Sequence, residues 1–226
     1  MNPPFSGVLM VGSAVFLSYF TYRRLRDFQK NKESLTNRFF LYAAFFVSIA
    51  LYVYGLSAFA YSYIPALLPI GAVVATILNM IGFAFFFCIP LNAWFSPRLY
   101  VFLTHAVSIF VIIIAMALII SPPASRLLLG GVVAWGFTPL QSCLILFLNA
   151  VAFSSNIFVL YKNFRESLDR TWFLRVVAII LTFVLTGLGG GYLYFGSNAV
   201  LLQYAYVLLF VGIVSQFVGS LGRGSK

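Results

Sequence analysis

Few residues in this sequence could do chemistry, and their positions restrict what chemistry that could be. The acids are Asp27, Glu33, Glu166 and Asp169, all in two hydrophilic segments that interrupt long apolar runs. No apolar run holds an Asp, Glu, Lys or Arg away from its ends. An ionised side chain at the centre of a bilayer costs about 2.5–3.5 kcal/mol on insertion scales and normally marks an ion path or a proton relay. The lack of one weighs against a proton-coupled pump, a voltage sensor or a carboxylate-lined metal transporter. It also removes paired-carboxylate acid–base catalysis, so the expectation is a protein that is not an enzyme.

His105 is the single histidine. One imidazole cannot supply both axial ligands of a transmembrane haem, nor a zinc site without carboxylates or thiolates around it. It could sense protons near neutrality; a hydrogen bond to a neighbouring helix is its more ordinary use. Cys88 and Cys143 lie inside apolar runs without Cys-x-x-Cys spacing, and such cysteines behave as small hydrophobes. The last apolar run offers Gln203, Tyr204, Tyr206, Ser215 and Gln216 but no Lys. A retinal Schiff base of the microbial-rhodopsin kind therefore has no amine there. No cofactor and no metal are expected.

Neutral polar residues remain. Ser142, Asn149 and Asn156 recur every seven residues, which places them on nearly one helix face. In lipid that face must turn inward, either to bond adjacent helices or to line a polar cavity open to a ligand. Bonding between helices is the plainer expectation for any single Asn. Asn79 and Gln203 could join either arrangement, and with His105 these six are the ligand-pocket candidates. Tyr52, Tyr54, Tyr61 and Tyr63 form either part of an aromatic belt or the wall of an aromatic pocket. Thr182, Thr186 and Gly190, followed by Gly191, and Ser215 with Gly219 have the small-xxx-small spacing of close helix contacts. The run 187–191 lacks the Lys-Ser/Thr of a phosphate loop.

The elements that must carry these residues are set by hydropathy. Of the 226 residues, 62% are apolar and 8% charged, against roughly 25% charged in a soluble domain. Seven apolar runs, at about 5–22, 39–61, 67–93, 99–120, 139–161, 172–194 and 199–219, match the roughly 20 residues that an α-helix needs to span a bilayer. They are too long for transmembrane strands and do not alternate. The fold class expected is an all-α integral membrane bundle of seven transmembrane helices forming one domain, 1–226. The first run lacks a signal peptide's basic leader and reads as a retained helix. Thirteen of the fourteen Lys and Arg fall on one set of loops and termini, while Arg126 alone falls on the other. The positive-inside rule then puts the N-terminus outside and the C-terminus in the cytoplasm, in the cell membrane. The net charge of +10 is thus accounted for by topology. No folded basic face for nucleic acid is available, and the basic loops should lie against anionic lipid, with a membrane or cytoplasmic protein partner as the alternative.

The segment 121–138 is irregular. Its apolar part, 127–137, is too short to cross, and two β-prone runs meet at Gly130-Gly131. A hairpin lying over the outer mouth of the bundle and a short interfacial helix with Trp135 at headgroup level are equally compatible with it. The interruptions at Pro90 and at 187–191 do not match one another, so no inverted repeat is visible.

The charged loop after span one, the irregular outer segment before span five and the basic loop leading to a Gly-rich span six form a layout. It resembles the seven-transmembrane N-terminal sensor modules of bacterial histidine kinases. The resemblance covers most of the chain in organisation and implies a sensor that binds a small or lipidic ligand and signals through partner contacts. In those proteins a kinase or cyclase domain follows the last helix. This sequence stops at Gly222-Arg223-Gly224-Ser225-Lys226, so the module works alone, its effector is a separate chain, or the sequence is a piece of a longer one. A transporter or channel for a neutral or amphipathic solute, and an accessory subunit of a membrane complex, are the alternatives.

Overall fold

The structure is a computed structural model. It describes the backbone of residues 3–30, 32–165 and 170–221, and side chains within these except at 159–176, 178 and 216–221. Glu166 and Asp169, the side chains of 162–175, Gln216, the surroundings of Gly219, and Arg223 and Lys226 fall outside that description.

Among the described residues the chain forms seven helices and one hairpin. The helices are α1 (Phe5–Lys30), α2 (Leu35–Ala60), α3 (Leu67–Trp94), α4 (Pro97–Ile120), α5 (Pro139–Arg165), α6 (Arg170–Phe195) and α7 (Ala199–Leu221), with β1 (Arg126–Leu128) and β2 (Val132–Ala134) between α4 and α5. Over their described residues, α1 to α5 are long and apolar enough to cross a membrane. In α6 and α7 the apolar stretches within the described side chains are Ile179–Phe195 and Ala199–Ser215. The helices follow the expected runs closely, except where α1 continues to Lys30 and α5 to Arg165, since no Gly or Pro interrupts either. Large apolar side chains such as Phe102, Ile120, Phe147 and Leu201 are exposed. Water would not tolerate so continuous an apolar surface, but hydrocarbon does: the protein is membrane-embedded.

Local sequence sets the helix ends. Ser34 caps α2 by accepting from the Asn37 N–H, and Asn198 Oδ1 accepts from the Val200 and Leu201 N–H groups at the start of α7. The start of α5 carries a capping box: Thr138 Oγ1 accepts from the Gln141 N–H, and Gln141 Oε1 from the Thr138 N–H. The Gln141 amide nitrogen then donates to the carbonyls of Ala117 and Ser121, which end α4. One buried side chain thereby satisfies the end of one helix and the beginning of another.

Helix neighbours close into a ring in the order α1, α2, α3, α5, α6, α7 and back to α1, while α4 packs only on the outside, against α3 and α5. Glycines set the closest approaches. A Cβ on Gly55 would meet the Gly7 carbonyl across α1–α2, one on Gly82 the Ala43 carbonyl across α2–α3, and one on Gly189 the Ala205 carbonyl across α6–α7.

The irregular segment is a hairpin, with Leu127 opposite Val133 and a loop of Leu129, Gly130 and Gly131. Both glycines have positive φ (79° and 72°), as tight hairpin loops of this kind require. The hairpin does not merely lie over the bundle. All three β2 residues are buried, and Trp135 is 2% exposed rather than standing at headgroup level. Non-helical backbone at that depth must find partners inside the protein. The Val133 N–H donates to Ser6 Oγ (3.2 Å) and its carbonyl accepts from the Tyr206 hydroxyl (2.9 Å). Ser6 Oγ in turn donates to the Gly131 carbonyl. The free edge of β2 is thus closed by side chains from the first helix and the last.

Candidate functional site

Inside the six-helix ring, below β2, lies a cavity of about 550 Å³, within the size range of small-molecule sites. It reaches from Tyr54 to Phe40 along α2, fourteen residues, or roughly 21 Å at 1.5 Å per residue. Its length therefore runs along the helices. At the hairpin end it is bounded by Trp135, whose ring stands 4.5 Å from that of Tyr54. At the other end are Phe20 and Phe40, and the Arg24 guanidinium packs over both rings, at 4.8 and 5.3 Å. Arg24 is itself paired with Asp27 at 3.6 Å. The walls between are mostly apolar, and among the described residues lining the cavity none is charged and none comes from α4.

One neutral polar cluster interrupts these walls. Thr76 Oγ1 gives its proton to the Ala72 carbonyl, so the Tyr54 hydroxyl, 2.5 Å away, donates to it. Asn79 Nδ2 donates to the Tyr194 hydroxyl at 3.1 Å, which also has Tyr54 and Asn149 as polar neighbours. Asn149 is 9% exposed, lines the cavity, and its Oδ1 has no hydrogen-bond partner. An unsatisfied buried carbonyl costs about 1–3 kcal/mol, and this one belongs to a residue of the cavity wall. Asn149 thus leaves one acceptor of the cluster unfilled.

The six residues singled out by sequence divide by role. Asn79 and Asn149 line the cavity. Ser142 instead donates to the Tyr194 carbonyl at 2.7 Å, tying α5 to α6. Asn156 donates to the Phe86 carbonyl at 3.0 Å, and the identity of that acceptor explains the bond. Phe86 is four residues before Pro90, which lies inside α3 and has no N–H to give it. Asn156 supplies from α5 the donor that Pro90 removes. The one polar face thus serves three ends, with a single member open to the cavity. His105 lies on the exposed face of α4, outside the ring, with Nδ1 2.7 Å from the carbonyl of Val101 on its own helix. It reaches neither the cavity nor another helix. Gln203 sits beside the hairpin loop, where a Cβ on Gly130 would come 2.7 Å from its Nε2.

Sequence reading missed Tyr194, Trp135 and Thr182 as lining residues. Tyr194 and Trp135 stand near helix or loop ends, where aromatic residues ordinarily mark the interface, so residue type alone concealed them. Tyr54 was legible only as one of four tyrosines, and Tyr63 of that group is exposed. The run 187–191 also differs from the close-packing expectation. Gly189 is the close contact with α7, whereas a Cβ on Gly187 or Gly190 would meet nothing within 4 Å, and both line the cavity. Thr182, Thr186 and Gly190 all line the cavity, and Thr186 is also at a close seam, where a Cβ on Gly212 of α7 would meet its Cγ2 and backbone nitrogen.

No protein-family profile matches the chain, and no curated protein matches its sequence.

Proposed function

We propose that this protein is a non-enzymatic membrane sensor that holds a small, neutral, mostly apolar ligand in the ring cavity and signals occupancy through its helices. The observation that carries this reading is the conjunction of a mostly apolar cavity with one unpartnered buried acceptor, Asn149 Oδ1, on a residue of its wall. A protein using these helices only as scaffold gains by filling such a volume, since a void forfeits packing contacts. In this reading all seven helices span the cell membrane, the hairpin end faces outward, and the basic end faces the cytoplasm, as the charge asymmetry requires. The hairpin closes the cavity toward the outside, and α1 and α2, joined near Arg24, lead from its floor to the cytoplasmic face.

Transport of a solute is the second reading. A continuous polar path would favour it, and the cavity's ends at Trp135 and at Phe20 with Phe40 count against one. Native mass spectrometry and a density map of protein purified without added ligand test the proposal. Bound endogenous material between Tyr54 and Phe40 is the expected result. An empty cavity with a membrane-spanning water path would instead favour transport.

A further inference from the structure

The cavity wall is not equally closed all round. Among the described lining residues, four are exposed on the surface: Ala150 and Ser154 on α5, and Val184 and Leu188 on α6. All the other lining residues are buried or half-buried. The contacts of Ser142 with Tyr194 and of Phe153 with Phe183 set the register of α5 and α6, which puts the two pairs at about one level of the boundary between these helices. Gly187, with nothing within 4 Å of where its Cβ would stand, is on the same stretch of α6. Toward the hairpin the same boundary is shut, by Ser142 on the Tyr194 carbonyl and by Leu146, 3.5 Å from the Cβ position of Gly191. Behind the opening, Phe153 and Phe183 meet with their rings 5.2 Å apart. Ala150 is eleven residues from the start of α5, roughly 16 Å along the helix, so the gap opens at mid-depth on hydrocarbon rather than on water. Asn149, with its unpartnered oxygen, is the residue next to Ala150 in the chain.

Resting on the cavity-binding reading above, we infer that ligand reaches the cavity sideways from the bilayer through a slot between α5 and α6. That ligand is a neutral, chain-bearing amphiphile whose hydroxyl is met by Asn149 Oδ1, the amide turning out of the wall to accept it. The slot sets the route, because a molecule dissolved in hydrocarbon never meets the hairpin end. The absence of charge among the described wall residues sets neutrality, since a carboxylate or ammonium would be desolvated there without a counter-ion. The acceptor sets the donor, and the roughly 21 Å length sets the chain.

The test uses the full chain in lipid nanodiscs with two photoreactive probes, a long-chain primary alcohol and the matched alkane lacking the hydroxyl. Labelled positions are mapped by peptide mass spectrometry over time. Wild type should label within the cavity, with the alcohol preferred by about three- to tenfold, the worth of one neutral hydrogen bond. Asn149→Leu should abolish that preference without lowering alkane labelling. A Cβ at Gly187 meets nothing within 4 Å, so Gly187→Leu should slow labelling about fivefold or more while leaving thermal stability intact. Ala150→Leu, from the opposite wall, should slow it likewise. If both variants label as fast as wild type, the lateral route is wrong although binding stands. If wild type takes alcohol and alkane equally, the hydroxyl assignment falls. Absence of cavity labelling with either probe overturns the binding reading itself.

Discussion

The pairing of Asn156 with Pro90 can be tested as a thermodynamic cycle. Asn156→Leu keeps the branching and the number of side-chain heavy atoms and removes the donor that reaches the Phe86 carbonyl at 3.0 Å. Intramembrane side-chain hydrogen bonds average about 0.6 kcal/mol, with a maximum near 1.7. This bond belongs in the upper half of that range, because the carbonyl has lost its helical partner to Pro90 and is left unsatisfied at a cost of about 1–3 kcal/mol. We expect Asn156→Leu to destabilise by about 1–1.5 kcal/mol. Pro90→Ala restores an N–H four residues after Phe86, so the carbonyl regains a partner within α3. In that background the same Asn156→Leu change should cost less than about 0.5 kcal/mol, which is the scatter for uncoupled sites. The coupling energy is then about 1 kcal/mol. Denaturation of the four proteins in mixed detergent micelles, titrated with a denaturing detergent, measures it. Equal costs of Asn156→Leu in both backgrounds would refute the assignment and leave the amide as ordinary interhelical bonding.

Two further outcomes follow from contacts described above. Gly189→Ala places a Cβ 2.5 Å from the Ala205 carbonyl oxygen and 2.9 Å from the Leu209 nitrogen, so thermal unfolding should show a loss of about 1–3 kcal/mol from overpacking. Gly187→Ala two residues away should be neutral or gain up to about 1 kcal/mol, and equal losses at both positions would contradict the open slot. Tyr206→Phe removes the donor to the Val133 carbonyl and should cost about 1–3 kcal/mol. It should also speed hydrogen exchange at the β2 amides; unchanged protection would show that the edge is held by something else.

Seven helices and their approximate limits were legible because hydrocarbon demands long apolar runs, and that demand is written residue by residue. The hairpin was legible as one of two forms, through Gly130-Gly131, but its depth was not. Burial of Val132 to Trp135 depends on Ser6 and Tyr206, which are more than seventy residues away from Val133 on either side. The face bearing Ser142, Asn149 and Asn156 was read correctly as a face, yet the differing partners of its members were unreadable. Phe86 needs Asn156 only because Pro90 follows it by four residues and because α5 happens to pack beside α3. His105 stands apart from that face. A rare residue type attracts attention, but the ring order that leaves α4 outside is a property of helix neighbours and has no local signature.

The latch on β2 also bears on how the molecule is made. Ser6 lies in the first helix and Tyr206 in the last, and both hold the same residue of the hairpin between them. Transmembrane helices can insert one by one, each satisfying its own backbone, before they associate. The hairpin cannot be stabilised on that schedule. Its outer edge has no donor from Tyr206 until nearly the whole chain has been synthesised and α7 has come round to α1. Until then, segment 121–138 must stay at the aqueous surface, where water satisfies its peptide groups. Closure of the ring and burial of the hairpin are therefore one late event, and translation must reach α7 before the cavity can acquire its roof.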